Sequence, residues 1–234
     1  MKSLYVGGAR VLRRVLGVLG LLGLLDRWAA RSRTGLWVRS LLSIYDLEDL
    51  LPYDLPWWTF EAADRVQTFL DSRPGARVFE WGSGASTAWL SRRTGSVTSV
   101  EHDGGWARVV RPVLADNAEV RVVEPVPATG GPDQELSEKP GFEGLDFAGY
   151  VAAVDDVEGT FDLVVVDGRA RAACFDRAVS RLKPDGLLVF DNVDRARYRD
   201  AIASSPVPVE VEWTRGRTLA LPYPTRTALV RLRD

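Results

Sequence analysis

The sequence is short of the residues that build most metal and redox centres. Cysteine and histidine occur once each in 234 residues, as Cys174 and His102. A lone cysteine forms no internal disulfide and no cysteine-built zinc site, so a reducing compartment such as the cytoplasm fits the chain. Lysine is nearly as scarce. Only Lys2, Lys139 and Lys183 are present, and arginine carries the rest of the basic charge. Neither sign of charge dominates, since the formal net charge is −2, which argues against a nucleic-acid partner. The chain also lacks an apolar run of the ~20 residues that span a bilayer. Its nearest approach is "VLGVLGLLGLL", Val15 to Leu25.

That run has a basic setting. Residues 1–40 hold eight arginine and lysine side chains against Asp26 alone. Flanking arginines suit a signal peptide, but Asp26-Arg27-Trp28 follows where a small-residue cleavage site would stand. Two readings stay open. The run is a helix packed on the core or on a second copy of the chain in a homodimer, or residues 10–33 form a basic helix resting on an anionic membrane surface. The second reading places the protein peripherally at the inner face of the membrane.

From about residue 76 the pattern alternates between apolar strands and amphipathic helices. Strands are expected at 77–81, 96–101, 119–124, 161–167, 186–191, 207–213 and 227–233. Helices are expected at 85–93, 105–115, 147–157, 169–182 and 195–204. Such alternation implies a mostly parallel, doubly wound α/β sheet with right-handed crossovers. "FDLVVV", Phe161 to Val166, is apolar almost throughout, as a central strand buried on both faces requires. "KPDG", Lys183 to Gly186, reads as the turn into the next strand. Residues 36–72 look helical, broken by "LPYDLPWW", where Trp57 and Trp58 either wall a ligand or serve as packing. "PATGGPDQELSEKPGFEGLD", Pro127 to Asp146, is too long and polar for a connector and reads as a mobile lid or substrate loop.

Chemistry concentrates at the expected strand ends. "RVFEWGSGASTAWL", Arg77 to Leu90, is a strand, a glycine turn at Gly82 and Gly84, and a helix that Ser86 can cap. The dinucleotide fingerprint needs a third glycine where this chain has Thr87, and Glu80 would repel a pyrophosphate. A nicotinamide oxidoreductase is therefore disfavoured. Glu80, Glu101, Asp167 and Asp191 bring acids to one edge, which suits a cationic or hydroxyl-bearing ligand. Glu101 stands at the interval expected of a carboxylate that accepts both ribose hydroxyls.

The series EWGSGAST, SVEHD, FDLVVVDGRAR and LKPDGLLVFDN resembles the class I S-adenosylmethionine-dependent methyltransferases, over residues 57 to about 233. The resemblance implies a Rossmann-like, seven-stranded methyltransferase domain over 57–234, preceded by an N-terminal helical extension over 1–56. It implies that Glu80, Gly82 and Gly84 hold the methionine part, with Ser83, Ser86 and Thr87 beside them. Glu101 would take the ribose and His102 would lie beside the adenine, with Asp167 and Trp58 completing the cofactor site.

Asp167 with Asp191-Asn192 is also similar to the metal site of catechol-type and caffeoyl-CoA-type O-methyltransferases. That similarity implies Mg²⁺ or Mn²⁺ on Asp167, Asp191 and Asn192, orienting an acceptor hydroxyl. The alternative is that Asp167 borders the cofactor and Asp191 caps a turn, in a metal-independent enzyme. Those families carry a lysine base after the strand-end Asp, where this chain has "GRARAAC". The base would then be His102, Asp167 or metal-bound hydroxide. "GRARAACFDRAVSRLKPDGLLVFDNVDRARY" further looks like bacterial methyltransferases of sugar and polysaccharide pathways. By that likeness Arg195, Arg197 and Tyr198 line a pocket for a sugar or small-molecule acceptor, while Arg169 and Arg171, which stay protonated and cannot serve as bases, could bind an anionic or sugar substrate. A non-enzymatic membrane-surface protein that keeps the cofactor fold is the remaining alternative.

Overall fold

The computed structural model describes residues 2–43, 47–132, 134–137 and 139–233. The N-terminal part contributes helices α1 (Lys2–Val18), α2 (Leu22–Ala29), α3 (Arg33–Ser40) and the short α4 (Leu47–Leu50). After α5 (Phe60–Asp71) come β1 (Arg77–Trp81), α6 (Ala85–Ser91), β2 (Ser96–Glu101), α7 (Gly104–Val110) and β3 (Ala118–Val122). A small ribbon of β4 (Val126–Pro127) and β5 (Leu145–Asp146) precedes α8 (Ala148–Ala152) and β6 (Phe161–Val166). The chain ends with α9 (Arg171–Arg181), β7 (Leu182–Asp191), α10 (Ala196–Ala203), β8 (Val209–Gly216) and β9 (Thr225–Leu232).

Seven strands form one sheet in the order β3-β2-β1-β6-β7-β9-β8. All neighbouring pairs from β3 to β7 are parallel, whereas β9 runs against both β7 and β8. The order reverses between β1 and β6, so a crevice opens beyond the carboxyl ends of these two strands. Both faces of β6 are buried. Its Val164 and Val166 join the core beneath α8, α9 and α10, while Leu163 and Val165 join the one beneath α5 and α6. A strand apolar but for Asp162 fits because helices cover both sides.

Several expected boundaries shift. The apolar run from Val15 to Leu25 is two helices, because Gly20 adopts φ +70 and ends α1. Leu21 N–H reaches back to Leu16 O at 2.9 Å and Gly20 N–H to Gly17 O at 3.1 Å, the paired bonds of a Schellman stop. The helix expected over 147–157 keeps only 148–152. Lys183 to Gly186 bulge out within β7, where the pairing jumps from Phe161↔Leu182 to Leu163↔Leu187. Among the described residues of the stretch 36–72, helix occurs in α3, α4, a 3-10 turn at Leu51–Tyr53 and α5, with Ile44, Tyr45 and Asp46 outside the described residues.

The N-terminal helices grip the sheet domain near its carboxyl edge. Trp37 Nε1 donates to Leu221 O at 2.9 Å, and Ser40 Oγ accepts from Ala220 N–H at 3.0 Å. Leu47 and Leu50 are buried. Thr59 caps α5 by accepting from Ala62 N–H at 3.2 Å. It also hydrogen-bonds Thr214 at 2.6 Å, fastening α5 to β8.

At the crevice the ends of β1 and β6 nearly touch. Gly82 has φ +96, and a Cβ there would fall 2.7 Å from both N and Cα of Gly168. Only glycine fits such a backbone and such an approach. Gly82→Ala should therefore destabilise the chain by about 2–5 kcal/mol, from left-handed strain plus overpacking. Urea denaturation measures this; an unchanged midpoint would contradict the crowding.

Candidate functional site

A cleft of about 540 Å³ opens at this edge. Three of its walls come from the turn after β1, the ends of β2 and β6, and the segment from Asp191 to Tyr198. Leu219 to Leu221 and the loop residues Ser137, Lys139 and Phe142 complete it. The long polar segment 127–146 thus overhangs the cleft, braced by the β4–β5 ribbon; Asp133 and Glu138 of it lie outside the described residues.

The β2 end is built around Glu101. Its Oε2 accepts from Ser83 N–H at 3.0 Å and Ser83 Oγ at 2.9 Å. Its Oε1 accepts from the amides of His102 at 2.8 Å and Asp103 at 3.0 Å. Burial works to raise its pKa, but His102 and these donors outweigh it and hold the carboxyl below its ordinary value. Glu101 is therefore a fixed anion on the cleft floor. His102 Nδ1 lies 2.6 Å from Glu101 Oε1, though not aligned as a hydrogen bond. The His102 ring packs near Phe142 at 5.3 Å and Phe147 at 5.9 Å between centroids. Trp106 seals the turn by donating Nε1–H to Ser83 O at 2.8 Å.

Glu80 takes a different place from the one expected of a ligand contact. In β1 the period of two turns Val78 and Glu80 toward α6, so the carboxylate lies behind the cleft wall, fully buried. It accepts from Ser86 Oγ at 2.5 Å, Thr87 Oγ1 at 2.5 Å and Ser99 Oγ at 2.9 Å. Thr87 returns a bond from its hydroxyl oxygen to Gly84 N–H at 2.9 Å. Glu80 and Thr87 brace the glycine turn from beneath, while Gly82, Ser83, Gly84 and Ser86 reach the cleft. Trp58 is likewise corrected. It is fully buried against Trp89, at 6.1 Å between rings, and Trp57 is the tryptophan on the cleft wall. Trp58 Nε1 faces Asp167 but has no partner in hydrogen-bond geometry.

Between the ends of β6 and β7 lies Arg171, the first residue of α9, buried. Its Nε donates to Gly168 O at 3.0 Å, one terminal nitrogen to Asp167 O at 2.7 Å and the other to Asp191 O at 2.7 Å. The guanidinium also pairs with Asp167 Oδ1 at 2.7 Å and approaches Asp191 Oδ2 at 4.0 Å. Asp191 accepts further from Thr227 Oγ1 at 2.6 Å and Asn192 Nδ2 at 2.5 Å. Burial raises both carboxyls above their ordinary range, and the Asp167 charge lifts Asp191 further, against the pull of Arg171.

This arrangement lends no support to the metal expectation for Asp167, Asp191 and Asn192. A hard divalent cation needs free carboxylate oxygens, and here the two carboxylates already share a permanent cation. Asn192 turns its amide nitrogen to Asp191. Among the described residues, no three acids, histidines or cysteines gather as a ligand set. The donor set does not fit the metal.

The far end of the cleft is basic and aromatic. Arg169 lies over Phe142 at 5.0 Å, and its Nε is buried without a partner. Arg195 and Arg197 lie 5.9 and 5.0 Å from the centre of the Tyr198 ring. All of these line the cleft. Sequence reasoning missed Trp106, Phe142, Leu219 to Leu221, and the inward turn of Arg171. Cys174 is buried in the core and lines nothing.

No protein-family model matches the sequence, and no curated protein sequence matches it either. Solved structures do match. The O-methyltransferase TomG from Streptomyces achromogenes, solved with S-adenosylmethionine, is 17% identical, with a TM-score of 0.55 over 80% of this chain and 87% of that one. TrmN from Thermus thermophilus is 13% identical, with a TM-score of 0.51 over 73% of this chain and 48% of TrmN. The chain thus spans about half the length of TrmN. The fold is the Rossmann-like fold of S-adenosylmethionine-dependent methyltransferases.

The buried carboxyl beneath the turn gives a pH test. Burial pushes Glu80 up from 4.5 to about 7. A raised folded-state value contributes stability that is present below the unfolded value and lost as pH rises through the folded one. Between about pH 5 and about pH 8, wild type should lose about 3 kcal/mol relative to Glu80→Gln, which does not titrate. Parallel urea-stability profiles for the two proteins would contradict this.

Proposed function

We propose that the chain is an S-adenosylmethionine-dependent O-methyltransferase that works without a bound metal on a hydroxyl of a sugar or other small acceptor. One observation carries the reading. A single continuous cleft joins a fixed carboxylate on the β2 end, Glu101, to a half-buried carboxylate on the β6 end, Asp167, and then to an arginine-lined mouth. The first part suits a nucleoside, through its ribose hydroxyls, and the last suits a polar or acidic acceptor. In this reading residues 57–234 are the catalytic unit and 1–56 its N-terminal extension.

Bound S-adenosylmethionine would supply an electrophilic methyl group. The protein's part is to hold and orient. Glu101 and the Ser83 turn receive the ribose, and His102 with Phe142 offers an aromatic flank to the base. Asp167 is the group placed to receive the acceptor's proton, because its side chain opens to the cleft while that of Asp191 is closed off. Arg171 fixes the Asp167 carboxylate in place and pulls against the burial that raises its pKa. Arg169 and Arg195 offer donors to hydroxyls or to an acid on the acceptor.

Methyl transfer from labelled S-adenosylmethionine, screened over sugar, phenol and amine acceptors, tests the reading. Asp167→Asn should lower kcat by about 10²–10⁴, the usual worth of a positioned general base. Because Asp167 is active as the anion and its pKa is raised, kcat/KM should fall on acidification from a limb above the ordinary carboxylate range. A variant as active as wild type, or a flat profile, would remove Asp167 as the base.

A further inference from the structure

We infer that the α1–α2 hairpin seats the protein on an anionic lipid surface. The inference is independent of what the cleft does. Eight of the fourteen exposed large apolar side chains among the described residues lie between Val11 and Trp28. The other six are spread along the chain from Val109 to Tyr223.

The eight are not scattered within the hairpin. On α1, Val11, Val15 and Val18 recur at i, i+4 and i+7, and so form one stripe on a single helix face. Leu12 and Leu19 lie alongside. Across the Gly20 turn, Leu21, Leu24 and Trp28 repeat the pattern at i, i+3 and i+7. Val18 is 89% exposed and Leu19 63%. Isolated surface leucines need no explanation, but exposed apolar stripes on two successive helices mark a surface that is covered in use.

The opposite face of α1 is committed to the body of the protein. Ala9 packs against the cluster of Leu50, Ala220, Tyr53 and Trp57. Arg13, four residues on, pairs with Asp49 at 2.6 Å. The hairpin is thus held in one orientation, with its apolar stripe outward. Ala220 and Trp57 also line the cleft, so the hairpin sits against the cleft's rim.

Charge selects the occupant. The exposed arginines Arg14, Arg27 and Arg31 border the apolar stripe, each within one helical turn of Val11, Leu24 or Trp28. The only acid, Asp26, is paired with Arg39 at 2.8 Å. Apolar side chains flanked by arginines that can snorkel upward match the boundary between headgroups and acyl chains. A helix long and apolar enough to cross the bilayer is absent among the described residues, so the hairpin would lie in the interface.

Flotation of the full chain with vesicles tests this. Vesicles of equal parts phosphatidylcholine and phosphatidylglycerol should carry the protein in low salt, and pure phosphatidylcholine vesicles should carry far less. Replacing Arg14, Arg27 and Arg31 together by glutamine should weaken binding on the order of a hundredfold, from ~1 kcal/mol per basic residue at such a surface. Val15→Asp with Val18→Asp should abolish it, while circular dichroism melting shows both variants still folded. Failure of the wild type to float, or equal binding to neutral vesicles, would overturn the inference. So would a dimer on size-exclusion that Val18→Asp splits in a protein that ignores vesicles, because the stripe would then be an interface between copies.

Discussion

Arg171 is the residue on which the edge of this sheet depends. Two strand ends, those of β6 and β7, deliver carbonyls and carboxylates there, and without a cation Asp167 and Asp191 would repel each other. The guanidinium meets them with a planar fork, bonding the main-chain oxygens of Asp167, Gly168 and Asp191 at once. It therefore fixes the spacing of β6 and β7 as well as the charge between them. Lysine could not replace it, because a single ammonium lacks that fork.

The constraint spreads outward through short contacts. Asp191 holds Thr227 on β9, and Thr227 accepts from the amide of Thr59, which caps α5. On the other side Gly168 packs against Gly82, whose turn rests on Glu80, Thr87 and Ser99. The cleft inherits a polarity from these two anchors. Its β2 end presents the fixed anion of Glu101, and its opposite end presents Arg169 and Arg195 over aromatic rings. A nucleoside at one end and a polar acceptor at the other would be drawn apart from each other's subsites.

Much of this was legible in the sequence, for reasons of period and composition. A six-residue run that is apolar but for Asp162 predicts a strand covered on both faces, and β6 is one. Acids closing successive apolar runs predict the edge at which the cleft lies, because a parallel sheet brings strand ends together. What stayed hidden depended on direction. Trp57 and Trp58 are neighbours, and adjacent residues point to different sides, so only the fold tells which lines the cleft. Glu80 reads as a ligand contact until strand alternation turns it toward α6. Arg171 reads, beside Arg169, as a contact for an anionic or sugar acceptor, since the left-handed Ala170, φ +46, that swings it between the two carboxylates leaves no mark in composition. Its spacing from Asp167, i to i+4, was the one available signal. The apolar run at Val15 to Leu25 looked continuous because a glycine stop and a helical glycine are the same letter.

Calorimetric titration of S-adenosylhomocysteine into the full chain, in excess chelator, tests the account most directly. The predicted result is one saturable site, indifferent to the chelator and weakened about thirtyfold or more in Glu101→Gln, as loss of charge-assisted hydrogen bonds worth about 2 kcal/mol would require. Absence of binding would contradict the cofactor assignment, and binding that appeared only after Mg²⁺ was added would contradict the place given to Arg171.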